Sequence, residues 1–294
     1  MMQKLFDTDP MERRVVLSAS RMTDMPKYYP LDLIREIDKR KEKGTKIHTL
    51  VLWTKHPGAL LKNPLHRYLE QLKKEGVQLY IQLSITGMGQ RVVGAKPDGT
   101  PLILEPKAPT TEEAINLLPE VIRLVGNPQR IRLRIDPIVR IKDHQGHSFS
   151  SLPFFTHILG SANKLGVETF SFSFLEKGVH RKVDNRMAGL GCEIDSPTDR
   201  EREKMLDWIK DLEKKHHVSI HPCCVPQMPV SKCIDGEELM RLHEDGAPVS
   251  LKQPKKRKLC GCTESIDLGG WPPKKCFTGC LYCYANVQVK WKLS

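Results

Sequence analysis

Short apolar segments alternate with amphipathic segments along most of the chain. Most of the apolar segments are rich in β-branched or aromatic residues, and all are too short for a typical globular helix, so the pattern predicts strands. The predicted strands cover residues 15–19, 49–53, 79–85, 131–135, 169–174 and 218–221.

The amphipathic segments repeat apolar residues three or four positions apart, which is typical of helices that cover a core. They cover residues 31–43, 64–75, 110–125, 153–165 and 199–214. Gly44 and Gly76 follow the first two segments as stop signals, and Thr110 and Glu113 have the spacing of a capping box. The sequence therefore predicts one helix between each pair of consecutive strands.

This alternation predicts an α/β fold with a mainly parallel sheet. We expect a full or partial (β/α) barrel, with an open doubly wound sheet as the alternative. Residues 87–109 and 177–197 are polar and are predicted to be loops. The expected domains are a barrel-like unit over residues 1–250 and a cysteine-rich tail over residues 251–294, whose first eight residues form a basic linker.

The composition fits a globular protein. The chain has 294 residues, of which 39% are hydrophobic, so a packed core is expected. No stretch approaches the roughly 18 consecutive apolar residues of a membrane span. The first residues lack the layout of a signal peptide. We therefore expect a cytoplasmic protein that does not contact a membrane.

The formal net charge is +12. Such a surplus attracts phosphate-rich partners over long range, so an anionic substrate or a nucleic acid is an expected partner. The alternative is a basic protein whose lysines are only solvated.

Every predicted strand runs into polar residues, and this is why we prefer the barrel. The carboxyl ends of parallel strands meet on one face, and that face carries the active site in such folds. The candidate catalytic residues are Arg21, Asp24, Lys55 and Asp136, and the same face would gather His56, Glu176, Cys223 and Cys224. Ordinary turn formation is the alternative for each residue.

All nine cysteines lie at or after residue 192, which indicates a metal site rather than a disulfide framework. Cys276, Cys280 and Cys283 place three thiolates within eight residues, and thiolates are the usual ligands of iron–sulfur clusters. Three ligands leave one iron of a [4Fe-4S] cluster open to a small ligand. Gly279 lets the backbone approach a bulky cluster. The main alternative is zinc held by Cys260, Cys262, Cys280 and Cys283.

The segment from Cys276 to Cys283, CFTGCLYC, resembles the signature of the radical S-adenosylmethionine superfamily. That resemblance implies a cluster that reduces S-adenosylmethionine to a 5′-deoxyadenosyl radical, and a reductant such as ferredoxin or flavodoxin. It also implies that Tyr282, the aromatic residue before the third cysteine, packs near the adenine.

A wider resemblance covers nearly the whole chain. The segments LSASRMTDMPKYY, VLWTKHP, SITG, RIDPI, SFSF, CIDG, CGCTESIDLGG and GCLYCYA are similar to the bacterial family called domain of unknown function 1848. That family has a radical-SAM-like cysteine cluster at its carboxyl terminus. In ordinary radical S-adenosylmethionine enzymes the cysteine loop follows the first barrel strand, so here the barrel would be circularly rearranged, with the tail folded over the strand ends. Residues 86–89, TGMG, are a candidate for binding the methionine amino group.

A second set of four cysteines could complete a closed iron–sulfur cluster. It would combine Cys233, Cys260 and Cys262 with Cys224 or its neighbour Cys223; the alternative is that the adjacent pair consists of small buried residues.

Three other functions stay open at this point. One is a nucleic-acid-binding protein with a structural iron–sulfur or zinc site, indicated by the basic residues 255–258. The others are an electron-transfer or redox-sensing module and a cysteine hydrolase that uses His216, His217 or His221.

Overall fold

The computed structural model describes residues 14–254 and 259–288. The strands are β1 (Val15–Ser18), β2 (Ile47–Thr54), β3 (Gln78–Ser84), β4 (Val92–Ala95), β5 (Pro101–Ile103), β6 (Ile131–Ile138), β7 (Arg140–Lys142), β8 (Ser148–Ser150), β9 (Thr169–Phe174), β10 (Glu193–Ile194), β11 (Ser219–Pro222) and β12 (Ile266–Asp267). The helices are α1 (Met25–Tyr28), α2 (Pro30–Glu42), α3 (Leu65–Lys74), α4 (Thr111–Asn116), α5 (Leu118–Val125), α6 (Phe155–Asn163), α7 (Arg181–Gly189), α8 (Asp199–His216) and α9 (Gly236–Leu242).

Seven strands form one parallel sheet in the order β12-β1-β2-β3-β6-β9-β11. This arrangement confirms the α/β class and all six predicted strands. Within residues 14–254 and 259–288, β11 and β12 form the two edges and do not pair with each other. Closure into a full barrel therefore stays a prediction.

The two faces of the sheet are covered differently. On one face, strand residues such as Leu50 and Phe170 pack with Leu33 and Leu69 of the helices that cross between strands. On the other face, Val51 and its neighbours pack with the segment around α9 and with cysteines of the tail. The period of two along β2 explains the division, because Leu50 and Val51 point to opposite faces.

Three predictions about connecting segments were wrong in detail. The predicted helix over residues 110–125 is divided at Leu117 into α4 and α5, because Pro119 cannot supply the amide hydrogen that a continuous helix needs. The capping box of Thr110 and Glu113 is present. The predicted loop over residues 87–109 contains the β4–β5 hairpin, and the loop over 177–197 contains α7 and β10.

The described part of the tail packs on the carboxyl end of the sheet. Its strand β12 pairs in parallel with β1, with Leu17 opposite Ile266. Further on, the carbonyl oxygen of Lys274 accepts a hydrogen bond from Thr23 Oγ1 at 2.7 Å, and the amide of Leu281 donates to Leu104 at 2.9 Å. The boundary at residue 250 stays a prediction, and the basic residues 255–258 lie outside the described residues.

None of the helices in the described part of the chain combines the length and the apolar character needed to cross a membrane.

Candidate cofactor site at the carboxyl ends of the strands

The three cysteines of the predicted cluster site converge in space. Burial raises the pKa of Cys280 well above its usual range; the charge of Glu105 adds to this effect and that of Lys55 opposes it. Smaller contributions from Cys283 and Cys276 indicate that these two thiols lie near Cys280. Burial also raises the pKa of Cys283. Without a positive metal centre, the thiol form is favoured at both positions.

The loop that carries these cysteines is held by side chains from the first two strand ends. Thr278 Oγ1 lies 3.0 Å from His56 Nε2 and 3.4 Å from the hydroxyl of Tyr28. Cys276 Sγ lies 3.6 Å from the same threonine oxygen. Gly279 has a φ of 75°, a backbone conformation that favours glycine, so the turn before Cys280 explains this residue without a ligand.

A buried ion pair lies beside Cys280. Lys55 Nζ donates to Glu105 Oε1 at 2.9 Å, and the two side chains are 15% and 3% exposed. The same carboxylate oxygen accepts hydrogen bonds from Thr86 Oγ1 at 2.7 Å and from the hydroxyl of Tyr282. Burial alone lowers the pKa of Lys55, but the charges of Glu105 and Cys280 raise it above its ordinary value. Lys55 therefore stays protonated and brings a fixed positive charge to the thiols.

Asp24 holds the backbone and the side chain at the carboxyl end of β2, next to Lys55. Its carboxylate accepts hydrogen bonds from the backbone amide of Lys55 at 2.8 Å and from Thr54 Oγ1 at 2.9 Å. Burial raises its pKa to about 6, although these hydrogen bonds act in the opposite direction. The contacts indicate that Asp24 fixes the end of β2, and Thr54 and Lys55 with it.

A buried arginine of α7 anchors the other side of the cysteine loop. Arg186 Nη1 donates to the carbonyl oxygens of Leu281 and Cys283 at 2.7 and 2.8 Å. Arg186 lies in the segment that the sequence predicts as a loop, and its role depends on a helix that the sequence analysis missed.

The other predicted site residues take different positions. Asp136 accepts hydrogen bonds from Arg134 and Ser173, while its charge still reaches Lys55. Arg21 stacks over Trp53, with the guanidinium carbon 5.4 Å from the ring centroid. Its Nε is buried and has no hydrogen-bond partner among the described residues.

Glu176 is paired with Arg202 at 2.6 Å, which explains it as a structural contact. The predicted strand-end residues therefore lie at one end of the sheet, but they do not all contact one another.

Arg134 connects this region with the second cysteine set. Its Nη1 lies 3.2 Å from Cys233 Sγ, and its Nη2 donates to Asp136. Cys233 Sγ is 3.3 Å from Cys223 Sγ. Hydrogen bonds from Cys223 and Cys262 and the charge of Arg134 lower the pKa of Cys233, whereas burial raises it. The net effect is a pKa well below the usual range.

Within residues 14–254 and 259–288, no group of three or more His, Cys, Asp or Glu side chains is arranged as a ready-made site for a metal ion. The donor chemistry of Cys276, Cys280 and Cys283 nevertheless fits a thiolate-bound cluster. Their mutual charge effects place them near one another. Three thiolates supplied by one short loop are the usual kind of ligand for such a cluster.

A surface cleft with a volume of about 390 Å³ opens next to the loop that holds Cys276. Its lining includes Lys27, His56, Lys62, Leu117 and Glu120. His56 also contacts Thr278, so the cleft adjoins the cysteine loop. Lys27 and Lys62 bring two positive charges to its wall and Glu120 brings one negative charge, so the net charge favours an anionic group.

The glycines of residues 86–89 have structural explanations. A Cβ on Gly89 would lie 1.9 Å from the carbonyl oxygen of Pro109, and one on Gly87 would overlap the ring of Phe154. Neither position has room for a side chain, so packing alone explains both glycines. They do not by themselves indicate a binding site. Thr86 is the member of the segment that reaches the site, through Glu105.

Sequence reasoning missed Glu105, which connects Lys55, Thr86 and Tyr282. The only local signal was an acidic residue directly after the apolar residues Leu102, Ile103 and Leu104. A lone carboxylate in such a run is rarely left unpaired, and this could have indicated a buried partner.

The family model for the domain of unknown function 1848 matches residues 33–285. The chain belongs to this family. No curated protein matches it.

Among solved structures, the chain is similar to the crystal structure of Streptococcus suis SuiB bound to S-adenosylmethionine, with 12% identity and a TM-score of 0.34. The match covers 72% of this chain and 48% of SuiB, so the chain spans about half the length of that protein.

Proposed function

We propose that this protein is an iron–sulfur enzyme of the radical S-adenosylmethionine type, with its [4Fe-4S] cluster on Cys276, Cys280 and Cys283. The observation that carries the proposal is the meeting of these three thiols at the carboxyl end of a parallel sheet. They lie beside the buried Lys55–Glu105 pair. The bound cluster would supply an electron to the sulfonium of S-adenosylmethionine.

The strand order supports this assignment. The six strands from β1 to β11 follow one another across the sheet in chain order, and β12 lies before them, next to β1. When β12 is counted first, the cysteine loop follows the first strand of the parallel series. This order is the one that the circular rearrangement expected from the sequence would require.

The chain's own residues would act as follows. The three thiols would hold three irons, and Lys55 and Arg186 would compensate the negative charge near Cys280 and Cys283. Tyr282 is held by its hydrogen bond to Glu105, with Lys55 Nζ 5.8 Å from its ring centroid. Its fixed, buried ring is suited to packing against one side of the adenine. The cleft lined by Lys27 and Lys62 would admit an anionic substrate.

The test is anaerobic reconstitution followed by single-turnover assays. We expect about four irons and four acid-labile sulfides on the Cys276 set, and reductant-dependent formation of 5′-deoxyadenosine. Ser substitutions at Cys276, Cys280 or Cys283 should abolish both. The matched control is Cys192→Ala, because the thiol of Cys192 donates to the carbonyl oxygen of Leu190 and is not one of the proposed ligands.

Absence of acid-labile sulfide from wild-type protein would reject the cluster. A full cluster with no cleavage of S-adenosylmethionine by reduced protein would reject the radical reaction and leave an electron-transfer protein.

A further inference from the structure

Five of the nine cysteines come together away from the Cys276 loop, although they are supplied by three separate segments. Cys223 and Cys224 follow β11, Cys233 precedes α9, and Cys260 and Cys262 lie before β12.

The contacts form a closed series of sulfur neighbours. Cys223 contacts Cys233, Cys233 contacts Cys262, and Cys262 contacts Cys260. Cys224 completes the series by contacting both Cys260 and Cys223.

We propose that Cys224, Cys233, Cys260 and Cys262 bind a single zinc ion in a tetrahedral, structural site. The argument rests on how compact the set is. Zn–S bonds of about 2.3 Å in a tetrahedron place the sulfurs about 3.8 Å apart. Among the four proposed ligands, Cys224 contacts Cys260, Cys260 contacts Cys262, and Cys262 contacts Cys233, so a zinc ion requires only small movements of side chains. The ligands of a cubane must lie farther apart, because its iron and sulfide atoms separate the ligand sulfurs.

The surroundings are built to hold thiolates. Cys262 Sγ accepts hydrogen bonds from the backbone amides of Cys233 at 3.1 Å and Ile234 at 3.4 Å. Arg134 Nη1 lies 3.2 Å from Cys233 Sγ. Charge-assisted donors of this kind orient ligand sulfurs and offset the net negative charge of four thiolates around a divalent ion.

The backbone also brings the segments together closely. The amide of Gly261 donates to Ser231 at 3.0 Å, and the amide of Thr263 donates to Ile234 at 2.9 Å, so the segment with Cys260 and Cys262 runs beside the one with Cys233. A Cβ on Gly261 would come within 3.3 Å of the Ser231 carbonyl oxygen, which favours glycine between the two cysteines.

Cys224 is assigned as the fourth ligand for a conformational reason. Its φ is 55°, and a residue other than glycine in the left-handed region costs free energy that is usually offset by a specific role of its side chain. Cys223, by contrast, continues from β11 with its amide bonded to Phe172 at 2.7 Å. Zinc at this site would tie the start of the tail to the sheet, and so position the loop that carries Cys276.

The test is metal and sulfide analysis of the anaerobically purified full chain. We expect about one zinc per chain in addition to any iron. The zinc should be lost from Cys224→Ser, Cys233→Ser, Cys260→Ser and Cys262→Ser, and should be retained in Cys223→Ser and Cys276→Ser. Iron and acid-labile sulfide report on the Cys276 set, and zinc reports on the set proposed here. The two proposals are therefore tested independently.

Replacement of zinc by Co²⁺ tests the site in the wild-type protein, so this measurement does not depend on whether the variants fold. We expect the visible absorption of tetrahedral cobalt thiolate. About eight irons per chain without zinc, or a cobalt spectrum without thiolate bands, would overturn the proposal. Loss of zinc from Cys223→Ser with retention in Cys224→Ser would overturn the choice of the fourth ligand.

Discussion

The ammonium group of Lys55 and the carboxylate of Glu105 form an ion pair at 2.9 Å beneath the cysteine loop. Lys55 comes from the end of β2, and Glu105 from the segment after the β4–β5 hairpin. This contact joins the sheet to the loop, because Tyr282 of the tail donates to the same carboxylate.

Substitution of either Lys55 or Glu105 should lower the free energy of unfolding. Lys55→Met leaves the carboxylate of Glu105 buried without its counter-charge, and we expect a loss of about 3–5 kcal/mol in the free energy of unfolding. The double variant Lys55→Met/Glu105→Gln should recover part of that loss. Urea denaturation measures the free energy of unfolding of the single and the double variant. The matched control is Lys39→Met, which removes an exposed pair with Glu36 and should cost about 1 kcal/mol or less. Equal losses in the two single lysine variants would contradict the buried-pair interpretation.

Arg186 should control the order of the cysteine loop. Arg186→Met leaves the carbonyl oxygens of Leu281 and Cys283 without their buried donor, at an expected cost of about 2–3 kcal/mol. Amide hydrogen exchange over residues 276–285 should accelerate, and cluster retention after reconstitution should fall. Arg181→Met changes an exposed arginine on the same helix and is the control. Unchanged exchange in the loop would show that Arg186 does not anchor it.

His48 should make stability depend on pH. It is fully buried, with Nε2 2.8 Å from the carbonyl oxygen of Ala247 and its ring centroid 4.1 Å from that of His243. Burial, with a smaller contribution from His243, lowers the pKa of His48 to about 4. The unfolded chain takes up this proton near pH 6.5, so the unfolded state binds more protons between pH 6.5 and 4. The free energy of unfolding should therefore fall by on the order of 2 kcal/mol as the pH drops through that window.

The measurement for His48 is a series of denaturation curves between pH 4 and 7. His48→Gln should show a flatter dependence on pH than the wild type, whatever its absolute stability. The control His157→Gln replaces an exposed histidine and should keep the wild-type slope. Parallel curves for wild type and His48→Gln would rule out this titration.

Gly89 should not tolerate a side chain. In Gly89→Ala the new Cβ would lie 1.9 Å from the carbonyl oxygen of Pro109, and backbone must move to relieve the overlap. We expect a loss of about 2 kcal/mol or more in the free energy of unfolding. Gly160→Ala is the control, because its Cβ would meet only His216 at 4.0 Å within helix α6. It should be neutral or stabilising by about 0.5–1 kcal/mol. A thermal melt in which both variants behave alike would contradict the packing argument.

The elements of the fold were largely predictable, because they depend on local patterns. The period of two in β2 and the capping box before α4 are properties of a few neighbouring residues, and both appear as expected. The hairpin β4–β5 and helix α7 were missed because their segments are polar and their stability comes from packing against distant parts of the chain. Val93 and Met187, for example, belong to the same buried cluster as Leu281 of the tail.

The candidate site divides in the same way. The sequence alone determined that Cys276, Cys280 and Cys283 lie near one another, since eight residues cannot place them far apart. Only the tertiary structure decided that β12 pairs with β1, that Lys55 meets Glu105, and that Cys224 meets Cys260. These partners are separated by tens to hundreds of residues in sequence. Their meeting depends on the order of strands in the sheet, which no local pattern encodes.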